Sequence, residues 1–193
     1  MKNEVALFFD SAARSWDSVN APETGILDKI TDIAGVSEGC TVLDAGCGTG
    51  VMFPFYFSRR VGFLTAIDIS ENMLSIAKRK FGSKAADYIC CDITEYSPKR
   101  SFDCVLVHNA FPHFLPQSTA LEKLKELTAP GGTLTIAHSI SRAEVLRCHK
   151  NIPEIPAVLP EAQTLAEKFG ENFENFTTMS DDRCYIVSAR KKL

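Results

Sequence analysis

The stretch Cys40-Thr41-Val42-Leu43-Asp44-Ala45-Gly46-Cys47-Gly48-Thr49-Gly50 constrains this chain more than any other. Thr41 to Leu43 is a short apolar run with β-branched residues, which predicts a buried parallel strand. A glycine loop follows, and the apolar segment Val51 to Phe57 predicts the opening of a helix. Gly46, Gly48 and Gly50 permit positive φ, and without Cβ atoms they let a ligand lie directly on the backbone. Free amides at the helix start would face that ligand. Pro54 agrees with this, because proline is tolerated in a first helical turn and not in a helix interior.

A glycine pattern alone also occurs in ordinary tight turns. The second element adds weight: Val61-Gly62-Phe63-Leu64-Thr65-Ala66-Ile67-Asp68 predicts another apolar strand, with its acid twenty residues after Gly48. An acid at the tip of a second strand can accept hydrogen bonds from both hydroxyls of an adenosine ribose. The competing role for Asp68 is to cap the next helix, but Ser70 can fill that role itself.

Val-Leu-Asp-Ala-Gly-Cys-Gly-Thr-Gly followed by Ala-Ile-Asp-Ile-Ser resembles the first motif and its successor in the class I S-adenosylmethionine-dependent methyltransferases. The resemblance implies S-adenosylmethionine as cofactor, with Asp44, Ala45, Gly46, Cys47, Gly48, Asp68 and Ile69 around it. Asp44 two residues before Gly46 separates the motif from the nicotinamide fingerprint, whose glycines begin right after an apolar strand. Both ligands carry adenosine, so NAD stands as the alternative from the loop alone.

Composition narrows the remaining classes. The chain has 193 residues, 45% hydrophobic and 23% charged, which predicts one soluble globular domain. Net charge is −3, and no basic run exceeds Arg190-Lys191-Lys192 in length, so nothing favours a nucleic-acid surface. Seven cysteines without a Cys-x-x-Cys pair predict buried free thiols in a reducing compartment. Vicinal Cys90-Cys91 would point to opposite faces of a strand, which argues against a soft-metal or redox pair. Neither a signal-peptide pattern nor an apolar run of membrane-spanning length occurs, so the expectation is a cytoplasmic protein with no membrane partner.

Along the chain, residues 3–17 predict an amphipathic helical segment, Asn20 to Glu23 a loop, and residues 24–34 a one-sided helix. Phe9-Asp10-x-x-Ala13-x-x-Trp16-Asp17 resembles the segment that packs over the cofactor as a lid in small-molecule methyltransferases, which would place Trp16 beside the substrate; the alternative is a helix that merely covers the sheet edge. After the second strand come a helix through Met73, Leu74, Ala77 and Phe81, then a third strand from Ala85 to Cys91 with Asp92 at its tip. The resemblance gives Asp92 the adenine amino group and Ile93 the ring; the alternative is a turn cap before Thr94. Ser101 to His108 predicts a fourth strand, Leu121, Leu124 and Leu127 a helix ended by Pro130-Gly131-Gly132, and Thr133 to Ala137 a fifth strand ending at His138.

The tail predicts a helix from Ser141 to Lys150, a loop with Pro153, Pro156 and Pro160, a helix over 161–169, and strands near 172–178 and 183–189. Together these predict a Rossmann-like, doubly wound α/β fold: a mostly parallel sheet of seven strands, closed by an antiparallel hairpin, with helices on both faces. Within one domain, residues 1–34 would form a lid, 40–139 the cofactor-binding core and 140–193 the substrate-side elements.

His108, Asn109, His113, His138 and His149 all fall in the second half, which should face the transferred methyl group. At the end of the fourth strand, His108 is expected on the cofactor side and Asn109 on the acceptor side. Ser141 and Glu144 have capping-box spacing, so a helix starting at Arg142 would place Arg142, Val145 and His149 on one face. Three readings of the histidines stay open: hydrogen-bonded strand-end residues, a general base with His113 first and His138 second, or a metal site. The last finds no local ligand spacing, and no metal is expected. The fourth strand is followed by His108-Asn109-Ala110-Phe111-Pro112 rather than Asn-Pro-Pro-Tyr, which argues against methylation of nucleic-acid or protein amides. The function expected is methyl transfer to a small-molecule acceptor; a non-catalytic binding module and an NAD-dependent enzyme are the alternatives.

Overall fold

The computed structural model describes residues 4–19, 23–150 and 158–193. The predicted loop at 20–22 and the prolines at 153 and 156 lie outside the described residues. Seven strands form one sheet in the order β3-β2-β1-β4-β5-β7-β6. They are β1 (Thr41–Ala45), β2 (Phe63–Asp68), β3 (Asp87–Cys90), β4 (Phe102–His108), β5 (Thr128–His138), β6 (Phe173–Ser180) and β7 (Tyr185–Lys191). β1 through β5 pair in parallel, and β7 runs antiparallel between β5 and β6. This is the predicted doubly wound sheet with its closing hairpin.

Strand alternation supplies two cores, one on each face of the sheet. On one face, Val42, Leu64, Ala66 and Leu106 pack with α3 (Thr24–Ile33), α4 (Phe53–Ser58) and α5 (Glu71–Phe81). On the other, Leu43, Val105, Val107 and Ile136 pack with α6 (Gln117–Leu127) and α8 (Ala162–Phe169). α1 (Glu4–Ala12) and α2 (Trp16–Val19), joined by a one-turn 3-10 helix, cover the N-terminal side, and α7 (Arg142–His149) follows β5. Caps read from the sequence are present: Ser70 Oγ accepts from the Met73 amide at 3.1 Å, and Ser141 Oγ from the Glu144 amide at 3.2 Å.

Several boundaries move. β1 runs on through Asp44 and Ala45, so the motif's acid lies inside the strand rather than in the loop. The predicted N-terminal helix breaks at Ala13–Ser15, and α4 starts two residues later than Val51. β5 begins at Thr128, before Pro130-Gly131-Gly132 rather than after it, and its register against β4 shifts between Phe102 and Cys104. A Cβ on Gly132 would come within 2.8 Å of the Asp103 carbonyl oxygen, so only glycine lets the two backbones approach there. All seven cysteines are free, but Cys90 and Cys148 are exposed rather than buried as expected.

Parallel pairing aligns the carboxyl ends of the strands along one edge. Asp44 pairs with Leu106, Asp68 with Cys90, and His108 with Ala137 beside His138. Everything the sequence marks as polar at a strand tip therefore meets at that edge, where ligands bind in such sheets. Gly132→Ala, which forces a Cβ against three backbone carbonyls, is expected to cost about 1–3 kcal/mol in urea denaturation.

Candidate functional site

A cavity of about 210 Å³ opens at this edge. Its floor is the turn after β1, which is fixed to β2 by backbone bonds: the Gly46 and Cys47 amides donate to the Ile67 carbonyl at 2.8 and 2.9 Å. The three glycines serve different needs. A Cβ on Gly46 would come within 2.4 Å of the Ala110 Cβ, and one on Gly50 within 2.9 Å of the Phe81 ring, so both are demanded by packing. At Gly48, with φ +54°, a Cβ would meet nothing within 4 Å. Of the three, Gly48 alone has open space at its Cβ position; Gly46 and Gly48 line the cavity and Gly50 does not, so the expectation of ligand approach does not extend to Gly50.

Asp68 is 8% exposed and uses both oxygens on backbone: Oδ2 accepts from Gly48 N and Oδ1 from Ser70 N, each at 2.8 Å. Burial pushes its pKa up to about 6, with those amides opposing the rise and the Asp10 charge adding to it. Each oxygen retains acceptor capacity toward the cavity that Asp68 lines. Asp92 accepts from Thr94 N and Thr94 Oγ1 at 2.8 Å, both on Oδ1, so it is a turn cap, and it also lies on the cavity wall. Ile69 and Ile93 line the same end.

Asp44 is 1% exposed, and neither carboxylate oxygen has a hydrogen-bond partner among the described residues. Burial drives its pKa up to about 7; the nearby Tyr56 hydroxyl opposes this without reaching hydrogen-bond geometry, and Asp68 adds to it. A buried acceptor of this kind is costly to leave unpaired. Ala45, in contrast, is fully buried in β1 and is not part of the cavity wall.

Two acids not selected from the sequence latch the N-terminal helices over the cavity. Asp10 Oδ1 accepts from Ser70 Oγ at 2.7 Å and from Asn72 N at 3.1 Å. Asp17 accepts from Thr49 Oγ1 and pairs with Lys80 Nζ at 2.9 Å. Burial works against the Asp17 carboxylate, but these bonds outweigh it and hold its pKa below the usual value. Both acids stand in the Phe9-to-Asp17 segment, seven residues apart, so their shared helical face was the available signal. Phe9 and Trp16 line the cavity from this lid, their rings 5.5 Å apart.

The opposite end carries all four histidines, with Asn109, Phe114 and Val145. Asn109 takes φ +54° and bridges to Ser139, donating from Nδ2 to Oγ and accepting from the amide, both at 3.0 Å. His108 and His138 are 5% and 3% exposed, and Nε2 of each is buried without a partner among the described residues. Burial lowers His108 to about 4, and burial with neighbouring histidines lowers His113 and His138 to about 3, so all three rings are neutral at physiological pH. Arg142 does not join them. Its guanidinium turns toward α8, donating to the Leu159 carbonyl at 2.8 Å and pairing with Glu161 at 2.7 Å, because those acceptors outcompete an apolar cavity wall for a cation. No cluster among the described residues has metal-binding geometry, and no described helix is long and apolar enough to cross a membrane.

Residues 42–132 match the methyltransferase-domain family. The core belongs to the class I S-adenosylmethionine-dependent methyltransferases. An uncharacterized methyltransferase of Mycobacterium tuberculosis is 36% identical over 96 residues, covering 49% of this chain and 48% of the relative. A malonyl-[acyl-carrier protein] O-methyltransferase of Serratia marcescens is 30% identical over 138 residues, covering 69% and 51%. The chain thus spans about half the length of these curated relatives. The N-methyltransferase NodS of Bradyrhizobium japonicum, solved with S-adenosylhomocysteine, superposes with TM-score 0.74 at 16% identity, covering 98% of this chain and 99% of NodS, which shows a shared fold.

The class I core carries an electrostatic signature that can be measured. An acid whose folded pKa of about 7 exceeds its unfolded 3.8 holds more protons folded than unfolded between those values. Its contribution to stability therefore falls as pH rises through that window and is gone above it. Relative to wild type, Asp44→Asn should gain roughly 1–3 kcal/mol of stability between pH 4 and pH 8, read by urea denaturation without ligand. A difference that does not change with pH would contradict the assignment.

Proposed function

We propose that this chain, as one methyltransferase domain, binds S-adenosylmethionine and methylates a small-molecule acceptor. The observation that carries the reading is the charge of the cavity wall. Asp17, Asp44, Asp68 and Asp92 line it, and no lysine or arginine does among the described residues. A cavity of one sign concentrates ligands of the other. That favours a ligand with an ammonium and a sulfonium, and it disfavours the pyrophosphate of NAD.

In this reading Asp44 takes the ammonium, which supplies the partner its buried oxygens lack. Asp68 accepts from the ribose hydroxyls, and Asp92 Oδ2 from the adenine amino group between Ile69 and Ile93. Gly46, Cys47 and Gly48 form the floor, and His108 closes the end nearest the acceptor. When bound, the cofactor supplies an electrophilic methyl group with a neutral thioether as leaving group. The chain's work is to hold the acceptor in line and keep water out. Phe9, Trp16 and Phe114 supply the walls, and the ring nitrogens of His113, and second His138, are placed to take the acceptor's proton. Neutral imidazoles also add no repulsion toward a cationic cofactor. The named relatives act on both oxygen and nitrogen acceptors, so the acceptor atom is not carried over from them.

Thermal shift tests the reading. S-adenosylhomocysteine at about a hundred times its dissociation constant should add ~2.7 kcal/mol, a rise of roughly 5–10 °C, with no rise from NAD. Gly48→Ala should fold with a loss of about 1 kcal/mol, since its Cβ meets open space, while binding S-adenosylhomocysteine about tenfold or more weakly. In steady-state assays, kcat/KM for the cofactor should fall below about pH 7, where Asp44 of the free protein protonates, and saturating cofactor should move that limb to lower pH. A rise with NAD alone would overturn the proposal.

A further inference from the structure

The histidine end of the cavity has a readable hydrogen-bond polarity. His149 Nδ1 lies 2.7 Å from the Val145 carbonyl oxygen, which can only accept, so this nitrogen carries a proton. Neutral His149 then has its lone pair at Nε2, 3.3 Å from His113 Nε2. His113 Nε2 must be the donor of that contact, which leaves the lone pair of His113 at Nδ1. His113 Nδ1 is buried, lacks a partner among the described residues, and belongs to a ring that lines the cavity. The Phe9 ring packs edge-on against His113 at 5.1 Å and fixes its plane.

The apolar part of this end is formed by Phe9, Phe114, Ile140 and Val145, and its polar groups, His108, Asn109 and His138 beside the His113–His149 pair, carry no charge. Arg142 is committed to Glu161 and Lys80 to Asp17, and no cation lines the cavity among the described residues. An anionic acceptor would leave water for a space with carboxylates at one end and no protein cation at the other, the cofactor's own charge being its sole counterweight, which is costly. A molecule without a donor hydrogen would leave the His113 nitrogen unpaired, which costs a buried hydrogen bond.

We infer that the acceptor is an uncharged, mostly apolar molecule presenting one N–H, O–H or S–H group to His113 Nδ1, with His149 as the positioning residue that sets the His113 tautomer. The inference rests on the methyl-transfer reading of the same cavity.

The test uses 4-propylphenol, its methyl ether 4-propylanisole, and 4-propylbenzoate as probes, titrated into protein loaded with S-adenosylhomocysteine. The single tryptophan, Trp16, lines the cavity, so its fluorescence reports occupancy. The phenol should bind about tenfold or more tightly than either the ether or the carboxylate. Nitrogen-15 spectra of the histidine rings should place the His113 proton on Nε2 in wild type. His149→Phe, which keeps a ring in place, should release that tautomer and abolish the preference for phenol over ether. Equal binding of the carboxylate or ether, no response to the phenol at millimolar concentration, or a His113 proton on Nδ1 would each overturn the inference. Loading is measured first: absence of S-adenosylhomocysteine binding defeats the proposed function and this inference with it, whereas intact loading makes the probe series a judgement on the acceptor alone.

Discussion

The carboxylate of Asp68 is the joint on which the site depends. One oxygen holds the Gly48 amide and the other the Ser70 amide, so the glycine loop and the start of α5 are fixed to the end of β2 by a single side chain. Ser70 in turn caps α5 and receives Asp10 from the lid. Loop, helix and lid are thereby placed relative to one another through one buried acid and its neighbour. The main-chain bonds from Gly46 and Cys47 to Ile67 reinforce the same junction.

The same edge is electrostatically uncomfortable for the protein on its own. Burial raises Asp44 and Asp68 and lowers His108, His113 and His138. The acids lose their stabilising contribution as pH rises from about 4 to 7, and the buried histidines lose theirs as pH falls below about 6.5. The cavity thus has acceptors at one end that want a cation and neutral rings at the other that tolerate one. Buried polar groups without a partner among the described residues concentrate at this edge, and the Tyr56 and Tyr185 hydroxyls add one in each core, as expected where a fold gives up stability for binding.

How far the sequence revealed this depends on the range of each interaction. Strands, their order of use, the Ser70 and Ser141 caps and the place of Pro54 follow from neighbours within a turn or two, and period and capping chemistry reveal them. The contacts that complete the site span long separations: Asp10 to Ser70, Asp17 to Thr49 and Lys80, and His113 to His149. No local pattern specifies which residues meet, although the i, i+7 acids of the lid segment were a usable hint. Arg142 shows the opposite failure. Helical spacing put it on the face of Val145 and His149, but a long side chain at the first position of α7 reaches the carbonyls after Val158 and an ion pair there instead. The glycines show a third: their number announces a ligand loop, while the reason for each depends on packing against Ala110 and Phe81, which only the tertiary structure supplies.

The most direct measurement is calorimetry of S-adenosylmethionine binding at pH 6.5 in buffers of different ionisation enthalpy, which counts protons exchanged. Asp44 and Asp68 are partly protonated there in the free protein, and a bound cation would drive both to the carboxylate form. Saturable binding is expected, with release of a substantial fraction of a proton, up to about one, and with most of that release lost in Asp44→Asn, where only Asp68 still contributes. Proton uptake, or binding that exchanges no protons, would contradict that expectation.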